Sequence, residues 1–235
     1  MTELLTITLK DLLSPDFYIN NGGVWVMLFI VFAETGLMIG FFLPGDSLLF
    51  IAGIYSERLV GRLPGGGTGS DFLDLLLLFV LVSASGVIGN TLGYWFGRKS
   101  GPFLFHRKDN FFFKKRYLFQ AKEFYDKHGG QAVVFARFLP IIRTFAPIVA
   151  GIVGMDGKKF TYYNIIGCLA WVFAMLFGGH YLYRLILMKT GFDLTKHLEV
   201  IVIGIIVVTT FPVLYKLFFG KRKKYPGEDG TSPKL

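Results

Sequence analysis

Long apolar runs dominate the pattern of hydrophobic and polar positions along the chain. Three of them, residues 72–97, 160–187 and 198–219, have charged side chains only toward their ends. Each is long enough for a helix that crosses the hydrocarbon core of a bilayer, which takes about 20 apolar residues. The pattern therefore predicts three transmembrane helices.

Two further apolar runs, residues 24–55 and 131–155, are interrupted at their centres by charged residues and prolines. These are Glu34, Pro44, Gly45 and Asp46 in the first run and Arg137, Pro140, Arg143 and Pro147 in the second. Proline breaks the helical hydrogen-bond ladder, and a charge at mid-bilayer costs about 2.5–3.5 kcal/mol. Broken helices survive at that depth only inside protein or beside a water-filled cavity. We therefore predict two re-entrant helical hairpins, shaped by Pro44, Gly45, Pro140 and Pro147.

The composition agrees with a membrane protein. Of 235 residues, 53% are hydrophobic and 17% charged, and the mean hydropathy is +0.53. A soluble domain carries roughly a quarter charged residues. The hydrophobic content excludes a disordered chain, and the single cysteine excludes a disulfide scaffold. The fold class expected is all-α and integral to the membrane, as one domain.

The basic residues predict the orientation. Nine lie between residues 98 and 127, and six more follow residue 215. Lys and Arg favour the cytoplasmic side of a membrane. Both groups are cytoplasmic only if the run 131–155 returns to the face from which it entered. We therefore expect the N-terminus outside, the C-terminus inside, and hairpins that enter from opposite faces.

The same reasoning divides the chain into three parts. Residues 1–22 alternate leucines with polar residues and predict an amphipathic segment in the membrane interface. Residues 23–219 form the membrane domain, with its two hairpins and three spans. Residues 220–235 are expected to form a basic cytoplasmic tail.

The two interrupted runs resemble one another. Phe32-Ala33-Glu34 and Phe135-Ala136-Arg137 are each followed by a proline ten residues after the charge, and then by Ala-Gly-Ile. Interrupted hydrophobic segments at corresponding places in two halves indicate a transport site. An inverted repeat is therefore predicted, in which an acidic and a basic hairpin tip meet near the midplane.

The charges at the two tips suit an anionic substrate. Guanidinium groups stay charged when buried and match phosphate geometry, so Arg137 and Arg143 are candidate phosphate ligands. Thr144 either donates to the same phosphate or bonds its own backbone. Carboxylates change protonation when they are desolvated, so Glu34 and Asp46 are candidate counter-ions and proton carriers. The alternative is a structural ion-pair cluster that only holds the hairpins together.

Other chemistry is not indicated. We expect no metal or other cofactor, because no His or Cys cluster has ligand spacing and no Walker loop is present. The sequence contains no serine nucleophile motif of the kind that would indicate an enzyme. The basic runs indicate the orientation of the chain in the membrane and not nucleic-acid binding. Four glycines at spacing four predict close helix packing in preference to a hinge: Gly89, Gly93, Gly97 and Gly101.

Several motifs together resemble the DedA family of bacterial membrane proteins, also called the SNARE-associated or VTT domain. They are Phe32-Ala33-Glu34, Phe42-Leu43-Pro44-Gly45-Asp46, Gly89-Asn90-Thr91-Leu92-Gly93-Tyr94-Trp95-Phe96-Gly97-Arg98 and Phe135-Ala136-Arg137-Phe138-Leu139-Pro140-Ile141-Ile142-Arg143-Thr144-Phe145-Ala146-Pro147. The resemblance implies that the acidic pair and the arginine pair are essential. One departure is Asn90, where many members carry Asp, so a proton role at this position is in doubt.

The family resemblance implies lipid movement between leaflets that depends on the proton motive force, notably recycling of undecaprenyl phosphate. We therefore expect a lipid flippase of the cell inner membrane whose partner is a polyprenyl phosphate or a phospholipid. The alternatives are a general phospholipid scramblase, a proton-coupled ion exchanger, a lipid phosphatase and a purely structural membrane protein. The sequence leaves the oligomeric state open, a homo-oligomer included.

Overall fold

The computed structural model describes residues 23–37, 45–106, 115–137 and 140–190, and within these ranges it is helical and contains no β-strand. The helices of this part of the chain are α1 Gly23–Gly36, α2 Gly45–Ile54, α3 Ser56–Val60, α4 Asp71–His106, α5 Lys115–His128, α6 Gln131–Ala136, α7 Pro140–Ile152 and α8 Gly157–Thr190. The predicted all-α class is confirmed for the described residues.

Two of the helices, α4 and α8, are long and apolar enough to cross a membrane, over Asp71–Phe103 and Gly157–Lys189. They correspond to two of the three predicted spans and extend beyond both predicted ends. Their 36 and 34 residues give lengths of about 50 Å at about 1.5 Å per residue, more than the roughly 30 Å hydrocarbon core. The third predicted span, 198–219, lies outside the described residues, as do the predicted segments 1–22 and 220–235.

Each interrupted run forms two short helices. Helices α1 and α2 have 14 and 10 residues, and α6 and α7 have 6 and 13, so each is about 9–21 Å long. None of these four is long enough to cross the hydrocarbon core alone. The predicted interruptions are therefore confirmed in both runs.

The prolines act differently from one another. Pro140 is the first residue of α7, where its missing N–H leaves no helical bond unmade. Pro147 lies inside α7 and not at the break, and its part in shaping the hairpin stays a prediction. A proline removes one ladder bond, and α7 stays helical because it packs closely on α4 near Gly93. Pro44 lies outside the described residues.

The short helices pack on the long ones in an alternating arrangement. Helix α1 lies on α4 and α6 lies on α8, each on the long helix that follows it in the chain. Helix α2 instead packs on α8, and α7 packs on α4. The two halves of the chain are therefore interlocked through their second short helices.

Glycines allow the closest of these approaches. A Cβ at Gly53 of α2 would overlap the Leu176 carbonyl of α8, and one at Gly97 of α4 would overlap the Ile148 carbonyl of α7. Gly89 lies against α1, and Gly101 lies against Ile152 of α7. The predicted role of these α4 glycines in helix packing is confirmed.

The amphipathic helix α5 flanks this bundle. Its Tyr125 is buried, and the hydroxyl donates a hydrogen bond to the Ala146 carbonyl oxygen of α7 at 3.0 Å. Burial raises the pKa of Tyr125, so the hydroxyl remains the donor in this bond. Helix α5 is thereby attached to the helix that carries Arg143.

Candidate functional site

Arg143 joins the two interrupted segments at a buried ionic site. Its Nη2 donates to Oε1 of Glu34 on α1, and its Nη1 donates to Oδ1 of Asp46 on α2. The three side chains are 10%, 3% and 14% exposed. One guanidinium fork therefore binds two carboxylates from the other segment, and the predicted meeting of opposite charges is confirmed for these residues.

Local structure brings the carboxylates together. Glu34 lies two residues before the end of α1, and Asp46 lies in the first turn of α2, where the helix dipole favours a negative charge. Gly45 begins α2 directly against Glu34, and a Cβ there would overlap the Glu34 carboxylate. Gly45 therefore has a function that the sequence alone did not reveal, in addition to its predicted place at the interruption.

Trp171 of α8 contacts both charges of the pair. Its indole Nε1 donates to Asp46 Oδ1 at 2.9 Å, and its ring centroid lies 4.9 Å from Arg143 Cζ. The side chain is buried, so the cation–π contact operates away from water. Sequence reasoning missed Trp171 because an aromatic residue in an apolar span is usually core or lipid-facing. The available signal was its indole N–H, which needs an acceptor when buried.

Arg137 has different partners. It follows the last residue of α6 as the C-cap, is 6% exposed, and donates from Nη2 to Asn164 Oδ1 on α8 at 2.6 Å. No carboxylate in the described ranges forms an ion pair with it. The expectation that both arginines neutralise the carboxylates therefore holds for Arg143 and is wrong for Arg137. The reason is its position: the side chain of Arg137 lies against Gly167 of α8, where the Asn164 amide supplies its acceptor.

Asn90 of α4 completes the surroundings of Arg137. In one orientation its amide nitrogen donates to Asn164 Oδ1 at 2.9 Å. In the other, which satisfies both ends of the amide, the nitrogen donates to the Thr35 carbonyl at 3.0 Å and the oxygen accepts from Arg137. In both orientations the guanidinium lies beside two neutral amides, those of Asn90 and Asn164.

Asn164 was not predicted from the sequence. It is fully buried, and its Nδ2 faces the Val87 carbonyl at 3.3 Å and Thr91 Oγ1 at 3.5 Å, both on α4. An amide in the middle of an apolar span was the available signal, because a buried polar side chain requires partners. Thr144 is buried beside Arg143 in α7, and both of its predicted roles stay predictions.

These features define the class: an all-helical membrane domain with a buried ionic site between two interrupted helical segments. A family model described as the VTT domain matches residues 43–181. The chain belongs to this family, the DedA family of membrane proteins, as the motifs predicted.

Several known proteins are similar to this chain in sequence over most of their length. The chain is 36% identical to protein DedA of Escherichia coli K12 over 203 residues, 85% of each chain. It is 32% identical to an uncharacterized membrane protein of Mycobacterium leprae over 224 residues, 93% of this chain and 92% of the relative. It is 31% identical to the inner membrane protein YqjA of E. coli K12, over 77% of this chain and 79% of the relative. No solved structure matches the chain.

Proposed function

We propose that the protein carries the phosphate head group of undecaprenyl phosphate between the leaflets of the inner membrane, together with protons that move in the same direction. The observation that carries this proposal is the binding of buried Arg143 to Glu34 and Asp46. Ionisable residues inside a membrane are expensive, and they usually mark a substrate or proton path. A guanidinium fork held by two carboxylates can exchange them for a phosphate of the same geometry.

We further propose that the two interrupted segments are re-entrant hairpins of an inverted repeat. In one half, Gly53 of α2 lies against the Leu176 carbonyl, and Gly179 of α8 lies against the carbonyl of Phe50. In the other half, Gly151 of α7 lies against the Tyr94 carbonyl of α4, and Gly97 of α4 lies against the Ile148 carbonyl of α7. In both halves, the residue that supplies the carbonyl stands three positions before the glycine of the same helix. The glycines of the two Ala-Gly-Ile motifs thus occupy equivalent places, which supports two related halves.

The proposed cycle follows from charge. Protonation of the carboxylates from outside weakens their hold on Arg143 and frees its donors for the lipid phosphate. Deprotonation toward the cytoplasm restores the ion pairs and releases the lipid inward. The lipid tail stays among other tails, so only the head group needs a polar path. Arg143 is thus the group that alternates between carboxylate and phosphate.

A general phospholipid scramblase is the second candidate, because a guanidinium fork binds phosphodiesters as well as phosphomonoesters. The experiment uses proteoliposomes with fluorescent undecaprenyl phosphate or fluorescent phosphatidylglycerol, and measures the labelled lipid in each leaflet with and without a pH gradient. The proposal predicts gradient-dependent movement of undecaprenyl phosphate. Equal, gradient-independent movement of both lipids would favour the scramblase.

Variants complete the test. Arg143→Gln should slow the movement at least tenfold, since it removes the exchanged group. Arg184→Gln is the matched control, because Arg184 pairs with Asp71 outside the site and its loss should leave the rate within twofold. Release of inorganic phosphate from the lipid would instead indicate a phosphatase. Full activity of Arg143→Gln would refute the proposed function.

A further inference from the structure

The two arginines of the site differ in the charge of their partners. Arg143 is bound by two carboxylates, whereas Arg137 is bound by the amide oxygen of Asn164, with Asn90 beside it. In the described part of the chain, no carboxylate pairs with Arg137. Its positive charge is therefore stabilised by the dipoles around it, the buried Cys168 thiol of α8 included, and is not neutralised by a carboxylate.

A buried guanidinium of this kind still has binding capacity. Arginine does not lose its proton on burial, so the charge remains. The Arg137 Nε is buried and has no hydrogen-bond partner. A buried charge without a counter-ion is costly, and an incoming anion lowers that cost by supplying both charge and acceptors. The unpartnered donor thus points to a ligand of opposite charge.

Asn164 fixes the geometry of this arginine. Its amide nitrogen faces two acceptors on α4, the Val87 carbonyl and Thr91 Oγ1, so the amide oxygen is the end turned toward Arg137. Asn164 belongs to α8, is fully buried where this helix faces α4, and cannot exchange its partners for water. One amide therefore ties both long helices to the end of α6.

We propose that Asn164, assisted by Asn90, is a positioning residue that holds Arg137 as a permanent receptor for the phosphomonoester of the substrate. This inference rests on the proposed function and gives the two arginines different roles in it. Arg137 is available to the phosphate at every stage, whereas Arg143 becomes available only when Glu34 or Asp46 is protonated. A neutral amide is required at position 164 because a carboxylate there would compete with the substrate.

The Asn164→Asp variant separates this role from a structural one. A carboxylate is a better acceptor for arginine than an amide, so a purely structural partner would be replaced by Asp with little loss of binding. If Arg137 is instead the phosphate receptor, the new carboxylate would neutralise its charge. We therefore expect Asn164→Asp to bind farnesyl phosphate at least tenfold more weakly than the unmodified protein, and more weakly than Asn164→Leu. A structural role predicts the opposite order of the two variants.

The measurement is calorimetric titration of the purified full chain in nanodiscs with farnesyl phosphate, inorganic phosphate and farnesol. Binding of farnesyl phosphate with little affinity for the other two identifies a lipid head group as the ligand. Tight binding of inorganic phosphate would identify free phosphate instead and overturn the lipid assignment. Equal binding of farnesol would show that only the tail is recognised and would overturn the receptor.

Two additions keep the test decisive. Acidification should strengthen binding to Asn164→Asp more than binding to the unmodified protein or to Asn164→Leu, because only Asn164→Asp gains a carboxylate beside Arg137 that can be protonated. If Asn164→Asp does not fold, Asn90→Asp brings to Arg137 from α4 the carboxylate that many family members carry at this position, and binding should then require acid pH in the same reversible way. Unchanged binding in the folded variants, together with lipid transport that still requires Arg143, would overturn this inference and leave the proposed function standing.

Discussion

At the scale of single residues, the two carboxylates of the site are not equivalent. Asp46 Oδ1 accepts hydrogen bonds from both Arg143 and Trp171. Glu34 accepts from Arg143 through one oxygen, while its other oxygen, Oε2, is buried with no hydrogen-bond partner. A proton on Glu34 Oε2 displaces no existing bond. Glu34 is therefore the carboxylate that we expect to take up the proton of the proposed cycle.

This asymmetry predicts the behaviour of Glu34→Gln, which imitates the protonated carboxyl. Binding of farnesyl phosphate to the unmodified protein should strengthen on acidification, whereas the variant should bind strongly at every pH and transport at less than a tenth of the normal rate. Calorimetric titration at several pH values measures the binding, and the proteoliposome assay of lipid movement measures the transport rate. Asp46→Asn provides the comparison, and the assignment is wrong if this variant alone loses the pH dependence.

Trp171 provides a second prediction at this scale. Trp171→Phe retains an aromatic face for Arg143 but loses the donor to Asp46, which should lower the free energy of unfolding by roughly 1.5–3 kcal/mol. Trp171→Leu also loses the cation–π contact and should cost about 2 kcal/mol more. Denaturant titration in detergent measures both. Equal stability of the Phe and Leu variants would contradict a role for the aromatic face.

At the scale of helices, stability depends on glycine contacts between each long helix and a short one. Gly179 of α8 lies against the Phe50 carbonyl of α2, so Gly179→Ala should destabilise the fold by roughly 1–3 kcal/mol through overpacking. The neighbouring Gly178 faces open space, so Gly178→Ala is the matched control. It should be neutral or stabilising by up to about 1 kcal/mol. Thermal melting distinguishes them, and equal effects would argue against the contact.

Helix length and interruption were predictable from the sequence, and the partners of particular side chains were not. Apolar runs determine where a helix can cross lipid, so α4 and α8 were found, and buried charges predicted that Arg143 would meet Glu34 and Asp46. The partner of Arg137 depends on how α6 is oriented against α8, and the local pattern of hydrophobic and polar residues does not predict that orientation. The place of Pro147 inside a continuous α7 was not predictable for a related reason, because it depends on packing against α4, which outweighs one lost ladder bond.

At the scale of the whole molecule, the charges of the described site cancel. Arg137 and Arg143 carry two positive charges, and Glu34 and Asp46 carry two negative charges. Each negative charge of a bound phosphate then requires one proton to keep the buried site neutral, because an unbalanced charge is expensive in the membrane interior. The loaded protein is therefore expected to move no net charge.

Electroneutral movement predicts which part of the proton motive force is used. In proteoliposomes, a pH difference should accelerate undecaprenyl phosphate movement at least several-fold, whereas a potassium diffusion potential set with valinomycin at equal pH should change it less than twofold. Vesicles containing Arg143→Gln control for leakage. Movement driven by the potential alone would show that charge is carried and that this balance is incorrect.

The central claim is that Arg143 exchanges its carboxylate partners for a lipid phosphate when the site is protonated. Solid-state NMR of ¹⁵N-arginine protein in bilayers with undecaprenyl phosphate measures this directly, through the ¹⁵N–³¹P coupling of the Arg143 guanidinium, assigned by its loss in Arg143→Gln. We predict a coupling that appears on acidification and disappears at alkaline pH. Absence of the coupling at every pH, in protein that still moves the lipid, would contradict the claim.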